Sequence, residues 1–343
     1  MREVYRILDA NFNRAREALR VIEDFARFGL DDAHLSTRAK DMRSRLQVLA
    51  GKLPARDLLA SRDSPADVGR EARTATERVR ADAPAVVTAA FKRLAEALRS
   101  LAEFGKTISA PLAEDFEKLR YEAYTFEQRM ARRLAGREAF GQVHLYVLLT
   151  AALCRSDPLA VARAAIQGGA DCIQLREKQM PDGKLLELAR RLRELTAEAQ
   201  VLLIVNDRPD VAAAAGADGV HVGQDDLPPA AVRRVLPRGI VGLSTHDPAQ
   251  LQAALDEPID YLAVGPMFPT ATKDAGPVAG PELLERALAA SSLPVVAIGG
   301  IDADNVAELA SAGAKCVAVC SAVIAAPDPA AAAARIKARL TAR

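Results

Sequence analysis

The chain has 343 residues, half of them apolar, which exceeds what one ordinary core needs and suits two domains. Charge is balanced at 46 Lys+Arg against 45 Asp+Glu, but residues 1–137 carry 27 basic and 21 acidic side chains (+6) and residues 138–343 carry 19 and 24 (−5). That asymmetry is mild and evenly mixed, and aromatics make up only 4% of the chain, so neither a nucleic-acid partner nor a base-stacking surface is expected.

The first segment, MREVYRILDANFNRAREALR, is charged throughout, so no signal peptide, membrane span or membrane partner is expected. Leu8, Phe12, Ala15, Leu19, Ile22 and Ala26 recur at three- and four-residue spacing, which predicts an amphipathic helix closed by Gly29 and the Asp31-Asp32 pair. Further amphipathic helices are predicted from about His34 to Leu53, Ala85 to Lys106 and Pro111 to Leu134, with ARDLLASRDSPADVGREARTATERVRADAP partly irregular between the second and third. The segment FNRAREALRVIEDF (12–25) matches FKRLAEALRSLAEF (91–104) at an offset of 79 residues, with Phe12/Phe91, Arg14/Arg93, Glu17/Glu96 and Phe25/Phe104 among the coincidences. Helix-forming composition alone could produce EALR twice, but the aligned Phe and Arg positions favour two helical hairpins related by an approximate twofold. Residues 1–137 thus read as an all-α domain.

Residues 138–343 alternate strands and helices with a period near twenty-five residues. Strands are predicted at about 144–150, 172–178, 201–207, 219–223, 240–245, 261–267, 294–300 and 316–321, with helices such as 182–199 and 302–312 between them. Eight such units fit an α/β fold of the (β/α)8 TIM-barrel type. A doubly wound open sheet is the alternative, but no GxGxxG follows the first strand. Cys154, Cys172, Cys316 and Cys320 include no CxxC, and three lie in apolar strand-like runs, which suits buried thiols in a reducing cytoplasm.

Strand after strand ends in polar or charged residues, which a buried strand does not need. In a barrel those carboxyl ends face the active site. Collected there are Gln174, Arg176 and Lys178; Asn206 and Asp207; Asp225 and Asp226; Ser244; Thr270, Thr272 and Lys273; Gly299 and Gly300; and Ser321. The cations and amide or hydroxyl donors suit a polyphosphate, and the separated carboxylates suit Mg2+, a hard cation that prefers oxygen. Glycines before the last two helices let backbone N–H groups approach a phosphate monoester. The loop 269–280, rich in Pro, Thr and Gly, suits a mobile lid. Each residue has a plainer role open to it: strand-end charge, turn or cap Asp, satisfied hydroxyl. The four histidines form no metal-ligand spacing, and His221, inside the fourth strand, reads as structural.

QLREK, VND, HVGQDD, VGLSTH, GPMFPTATK and AIGGI, in that order, resemble the thiamine phosphate synthase family over about residues 143–330. The resemblance implies a Mg2+-dependent transferase that condenses hydroxymethylpyrimidine diphosphate with a thiazole phosphate and releases pyrophosphate. It further implies that Gln174, Leu175, Arg176, Glu177 and Lys178 bind the pyrimidine diphosphate with Asn206, Ser244 and Lys273. Of these, Arg176, Lys178, Ser244 and Lys273 are the catalytic candidates. Asp207 and Asp226 would hold the metal, and Thr270, Ala271, Thr272, Gly300, Cys320 and Ser321 the thiazole phosphate. Cys320 departs from the aliphatic residue usual in the family, which matters little for a backbone contact. Another phosphate-binding barrel isomerase is the rival, but it would need an acid/base pair at the strand ends.

LDANFNRAREALRVIEDFARF and SRDSPADVGRE resemble a helical domain sometimes fused ahead of this synthase and proposed as an alternate hydroxymethylpyrimidine-phosphate kinase. A multifunctional, cytoplasmic enzyme of small-molecule substrates is implied, and a homo-oligomer is compatible with it. No nucleotide motif is visible, so a noncatalytic dimerisation or ligand-sensing module stays open. Asn11, Arg14, Glu17, Arg20, Asp67 and Arg70 are its candidate functional residues, against a solvated helix face with i,i+3 ion pairs.

Overall fold

The computed structural model describes residues 1–63, 67, 79–269 and 278–342. The chain divides into two compact units, Met1–Ala131 and Arg132–Arg343, each with its own core.

The first unit is helical. Helix α1 (Arg2–Asp24) buries Leu8, Phe12, Ala15, Leu19 and Ile22, the stripe expected from their spacing. It runs into a π-helical turn, Phe25–Gly29, where Leu30 N–H donates to Phe25 O at 3.0 Å. Asp32 then caps α2 (Ala33–Ala50) by accepting from Leu35 N–H at 2.9 Å. The stretch read as irregular contains a short helix, α3 (Ala55–Ala60). Asp82 caps α4 (Ala83–Gly105), and α5 spans Ala110–Phe140, past the Leu134 end and the 137/138 boundary that the sequence suggests. The repeated phenylalanines meet equivalent partners on α5. Phe12 packs edge-on to Phe116 at 5.5 Å, and Phe91 edge-on to Phe126 at 5.4 Å.

The second unit is a closed barrel of eight parallel strands in sequence order. They are β1 (Leu145–Leu149), β2 (Cys172–Leu175), β3 (Leu202–Asn206), β4 (Gly219–Val222), β5 (Ile240–Thr245), β6 (Tyr261–Val264), β7 (Val295–Ile298) and β8 (Cys316–Val319). Between and after them lie α6 (Pro158–Gln167), α7 (Asp182–Glu198), α8 (Pro209–Ala215), α9 (Pro229–Val235), α10 (Pro248–Ala254), α11 (Gly280–Ala290), α12 (Val306–Ser311), α13 (Ser321–Ile324) and α14 (Pro329–Thr341). One face of each strand packs under the helices, through residues such as Val147, Ile173, Val205, Val220 and Val317. The other face fills the barrel with Tyr146, Leu148, Cys172, Ile204, Tyr261, Val296 and Ala318, joined by Phe140 and Val143.

The amino-terminal ends of the strands carry a repeated device. Asp171, just before β2, donates its N–H to Leu145 O (2.9 Å) and accepts Leu145 N–H on its carboxylate (3.0 Å). Asp218 does the same with Leu203 (2.9 and 2.8 Å), and Asp260 with Val241 (2.8 and 2.7 Å). Each carboxylate also meets a cation: Lys337 at 2.6 Å, Arg193 at 2.7 Å, and Arg233. Asp260 and Arg233 are the most enclosed of the three pairs, with side chains 10% and 11% exposed. Removing one member of a buried charged pair strands the other. Asp260→Ala is expected to lower unfolding stability by about 3 kcal/mol, measured by chemical denaturation. A loss within error would show that the pair carries little.

Candidate active site

At the carboxyl ends of the strands the barrel opens into a cavity of about 470 Å³. It is lined by Gln174, Arg176, Lys178, Asn206, Asp207, Asp226, Ser244, Gly300, Cys320 and Ser321, all residues singled out from sequence. Strand β2 ends at Leu175, so Arg176 and Lys178 stand on the following loop rather than on the strand. Leu175 and Glu177 do not line the cavity. Leu175 points the other way from Gln174 and is buried under the helices, and the Glu177 carboxylate is taken up by Ala151 N–H. Asp225 is exposed and also outside the lining. Thr270, Ala271, Thr272 and Lys273, with most of the expected lid, lie outside the described residues.

Asp207 adopts a left-handed backbone, φ 62°, and its N–H donates to His221 O at 2.8 Å. Asp tolerates this conformation better than most side chains, and it turns the carboxylate into the cavity. Asp226 accepts from Gly223 N–H at 2.7 Å. Burial, followed by the hydrogen bond and charge of Asp226, pushes the Asp207 carboxyl up to about 6, although Lys178 and Arg176 oppose the shift. Lys178 Nζ lies 3.9 Å from Asp207 Oδ2.

The opposite wall is made of backbone. Gly299 and Gly300 have φ of 103° and 67°, and a Cβ on Gly300 would lie 2.6 Å from Pro269 O. Only glycine fits there. Neither amide donates to a backbone carbonyl among the described residues, which leaves both able to meet an anion. Burial pushes the Cys320 thiol up to about 11, so it acts as a neutral wall rather than a nucleophile.

Beneath the cavity runs a polar chain through the barrel interior. Gln174 Nε2 donates to Tyr146 Oη at 2.6 Å, and the Tyr146 and Tyr261 hydroxyls are 3.0 Å apart. Tyr261 Oη is 2.9 Å from His221 Nδ1, and His221 Nε2 is 2.8 Å from Ser244 Oγ. Tyr261 is sandwiched between Phe140, with ring centroids 4.1 Å apart, and His221 at 5.5 Å. Gly242 makes room for it, since a Cβ there would meet the Tyr261 ring at 2.0 Å. His221 therefore lines the cavity and orients Ser244, a role its place inside a strand did not disclose. His246 also reaches the lining, with Nδ1 2.6 Å from Gly265 O.

Residues 145–323 match the family model described as thiamine monophosphate synthase. The chain belongs to the thiamine monophosphate synthase family. Residues 6–129 match the ThiD2 family. The chain is 40% identical over 327 residues to the thiamine-phosphate synthase of Nostoc punctiforme, covering 95% of this chain and 91% of that one. It is 41% identical over 333 residues to that of Thermosynechococcus vestitus, covering 94% and 91%. Among solved structures, thiamine phosphate pyrophosphorylase from Pyrococcus furiosus superposes with a TM-score of 0.55 at 37% identity, covering 58% of this chain and 95% of that one. Members of this family are transferases of thiamine biosynthesis, and the chain is a thiamine-phosphate synthase.

Of the N-terminal candidates, Asn11, Arg14 and Glu17 line a separate cleft in the first unit. Arg20 pairs with Asp24 at 3.1 Å, Asp67 is exposed, and Arg70 lies outside the described residues. No helix among the described residues is long and apolar enough to cross a membrane.

The hydrogen-bonded chain in the synthase barrel acts as a unit, so its members should couple. Tyr261→Phe and Tyr146→Phe are each expected to destabilise by about 1–3 kcal/mol. The double variant should cost clearly less than the sum. Strict additivity in a double-mutant cycle would show that the hydroxyls are independent.

Proposed function

We propose that the barrel joins hydroxymethylpyrimidine diphosphate to a thiazole phosphate, giving thiamine phosphate and pyrophosphate. The observation that carries this reading is one cavity with two anion-handling sets. Arg176 and Lys178 with the two aspartates suit a departing diphosphate, and the Gly299–Gly300 backbone suits the phosphate of the partner.

Loss of pyrophosphate from a benzylic-type carbon leaves a pyrimidine cation that its amino group stabilises. The thiazole nitrogen then attacks with its own lone pair, so no protein nucleophile or base is demanded. Arg176 and Lys178 balance the charge that accumulates on the leaving oxygens. Asn206 orients the pyrimidine with Ser244, whose hydroxyl His221 fixes. The family resemblance assigns Lys273 to the pyrimidine diphosphate and Thr270, Ala271 and Thr272 to the thiazole phosphate, and these four lie outside the described residues.

The donor set fits Mg2+. Two carboxylates close enough to raise one of them to about 6 repel each other when both are ionised, and a divalent cation removes that cost. Among the described residues no group of three or more His, Cys, Asp and Glu converges as a metal cage. Asp207 and Asp226 would hold it, and when bound it would offset charge on the leaving diphosphate.

For the N-terminal unit, the ThiD2 match over residues 6–129 supports a kinase that phosphorylates hydroxymethylpyrimidine phosphate. An oxygen of its phosphate would attack the terminal phosphorus of a nucleoside triphosphate and displace the diphosphate. The product would be the substrate of the barrel. Four free cysteines support a reducing, cytoplasmic setting.

Purified protein with Mg2+ and both substrates is expected to release pyrophosphate, and no release from folded protein would defeat the reading. Mg2+ is expected to raise the melting temperature of the unmodified chain but not that of Asp207→Asn with Asp226→Asn. An equal rise in both would place the ion elsewhere. Supplied with ATP, hydroxymethylpyrimidine phosphate and thiazole phosphate, the full chain is expected to make thiamine phosphate without an added kinase. Failure in a preparation that accepts the diphosphate would leave the first unit noncatalytic.

A further inference from the structure

The duplicated segments of α1 and α4 line one cavity of about 320 Å³. Its lining pairs off across the 79-residue offset as Arg14 with Arg93, Glu17 with Glu96, and Ala18 with Ala97. Ala18 and Ala97 are buried, and such small side chains let two helices approach closely. The arginines and glutamates are exposed at the rim and are not needed to hold the helices together.

These charges stay unused in a unit where exposed charges commonly pair. Lys92 meets Glu127 at 3.0 Å, Arg99 meets Glu103 at 2.9 Å, and Arg45 meets Glu122 at 2.7 Å. Arg14, Glu17 and Glu96 make no ion pair or side-chain hydrogen bond among the described residues, and Arg93 reaches only Ala89 O of its own helix, at 3.4 Å. The i,i+3 spacing would let each Arg bond its own Glu, yet both pairs stand apart. Where the duplication is broken, a neutral polar group is added. Asn11 corresponds to Ala90 and Ser100 to Val21, and both Asn11 and Ser100 line the cavity. Asn11 is only 6% exposed, and its Nδ2 is held by Ile7 O at 2.9 Å. Its Oδ1 has no hydrogen bond among the described residues. Two guanidiniums, two carboxylates and the amide oxygen of a mostly buried asparagine thus face one asymmetric cleft.

We propose that this cleft binds a small organic phosphate whose other end is an aminated heteroaromatic ring. Guanidinium forks recognise phosphate oxygens, whereas carboxylates and an amide oxygen accept from ring-bound amino groups. The volume suits a single-ring monophosphate. The choice of ligand rests on the kinase reading of this unit, which makes it the phosphorylated aminopyrimidine; the placement rests on the cleft itself.

The test uses the full chain carrying Arg176→Ala and Lys178→Ala, so that the barrel does not compete for the probe. Hydroxymethylpyrimidine phosphate is titrated calorimetrically beside its unphosphorylated alcohol and inorganic phosphate. One site is expected, weakened about tenfold or more by Arg14→Ala or Arg93→Ala. Glu17→Gln should weaken the pyrimidine phosphate but not inorganic phosphate. All these side chains are exposed, and unchanged melting temperatures confirm folding. No binding by the chain with an intact cleft, or equal binding by the folded arginine variants, overturns the proposal. If cleft substitutions abolish binding while the unmodified chain forms no diphosphate, the site stands and the kinase reading falls. If diphosphate formation proceeds undiminished in the cleft variants, the kinase stands and the site falls.

Discussion

A barrel of eight short strands is ordinarily filled by branched apolar side chains, which need only volume to be satisfied. Here two tyrosines, a glutamine and a histidine occupy that interior, and each buried polar atom left without a partner would cost free energy. Satisfying them forces a single solution. Tyr261 must lie flat between Phe140 and His221, β5 must offer a glycine at 242 to admit its ring, and His221 must turn its second nitrogen toward Ser244. The floor of the cavity is therefore set by hydrogen bonding, and Gln174 and Ser244, on strands that are not neighbours, are fixed by one connected network.

Much of this was legible in the chain. The alternation of apolar runs and amphipathic stretches gives all eight strands and their order, because burial on both strand faces leaves a strong pattern. The polar strand ends then mark the rim, and eleven of the expected residues, Gly299 included, meet in one cavity. Strand ends were less legible. In QLREK the apolar pattern stops at Leu175, but charged residues at alternate positions mimic its continuation to Lys178. The resemblance names Leu175 and Glu177 beside Gln174 and Arg176, whereas in the fold Leu175 packs under the helices and the Glu177 carboxylate accepts from Ala151 N–H.

His221 shows a different limit. A histidine within an apolar run looks like core, and the residues that give it a task, Tyr261 and Ser244, stand 40 and 23 positions away. No local pattern encodes such pairings. The length of α5 is likewise tied to tertiary packing, with Phe140 buried inside the barrel well past the last expected helical residue.

The aspartates before β2, β4 and β6 have a dynamic consequence. Each closes a two-bond ring with one residue of the preceding strand, which joins β1 to β2, β3 to β4 and β5 to β6 as cross-linked pairs. Before β8 the corresponding residue is Lys315, which supplies only a carbonyl to His144 Nδ1. The last quarter of the barrel, which carries the glycine cradle at its other end, thus lacks that clasp. Amide exchange from brief local opening would accordingly be faster at the β7–β8 seam than at the three clasped seams. Breathing there would move the phosphate-facing wall while the three clasped pairs, with Gln174 and Ser244, stay in register.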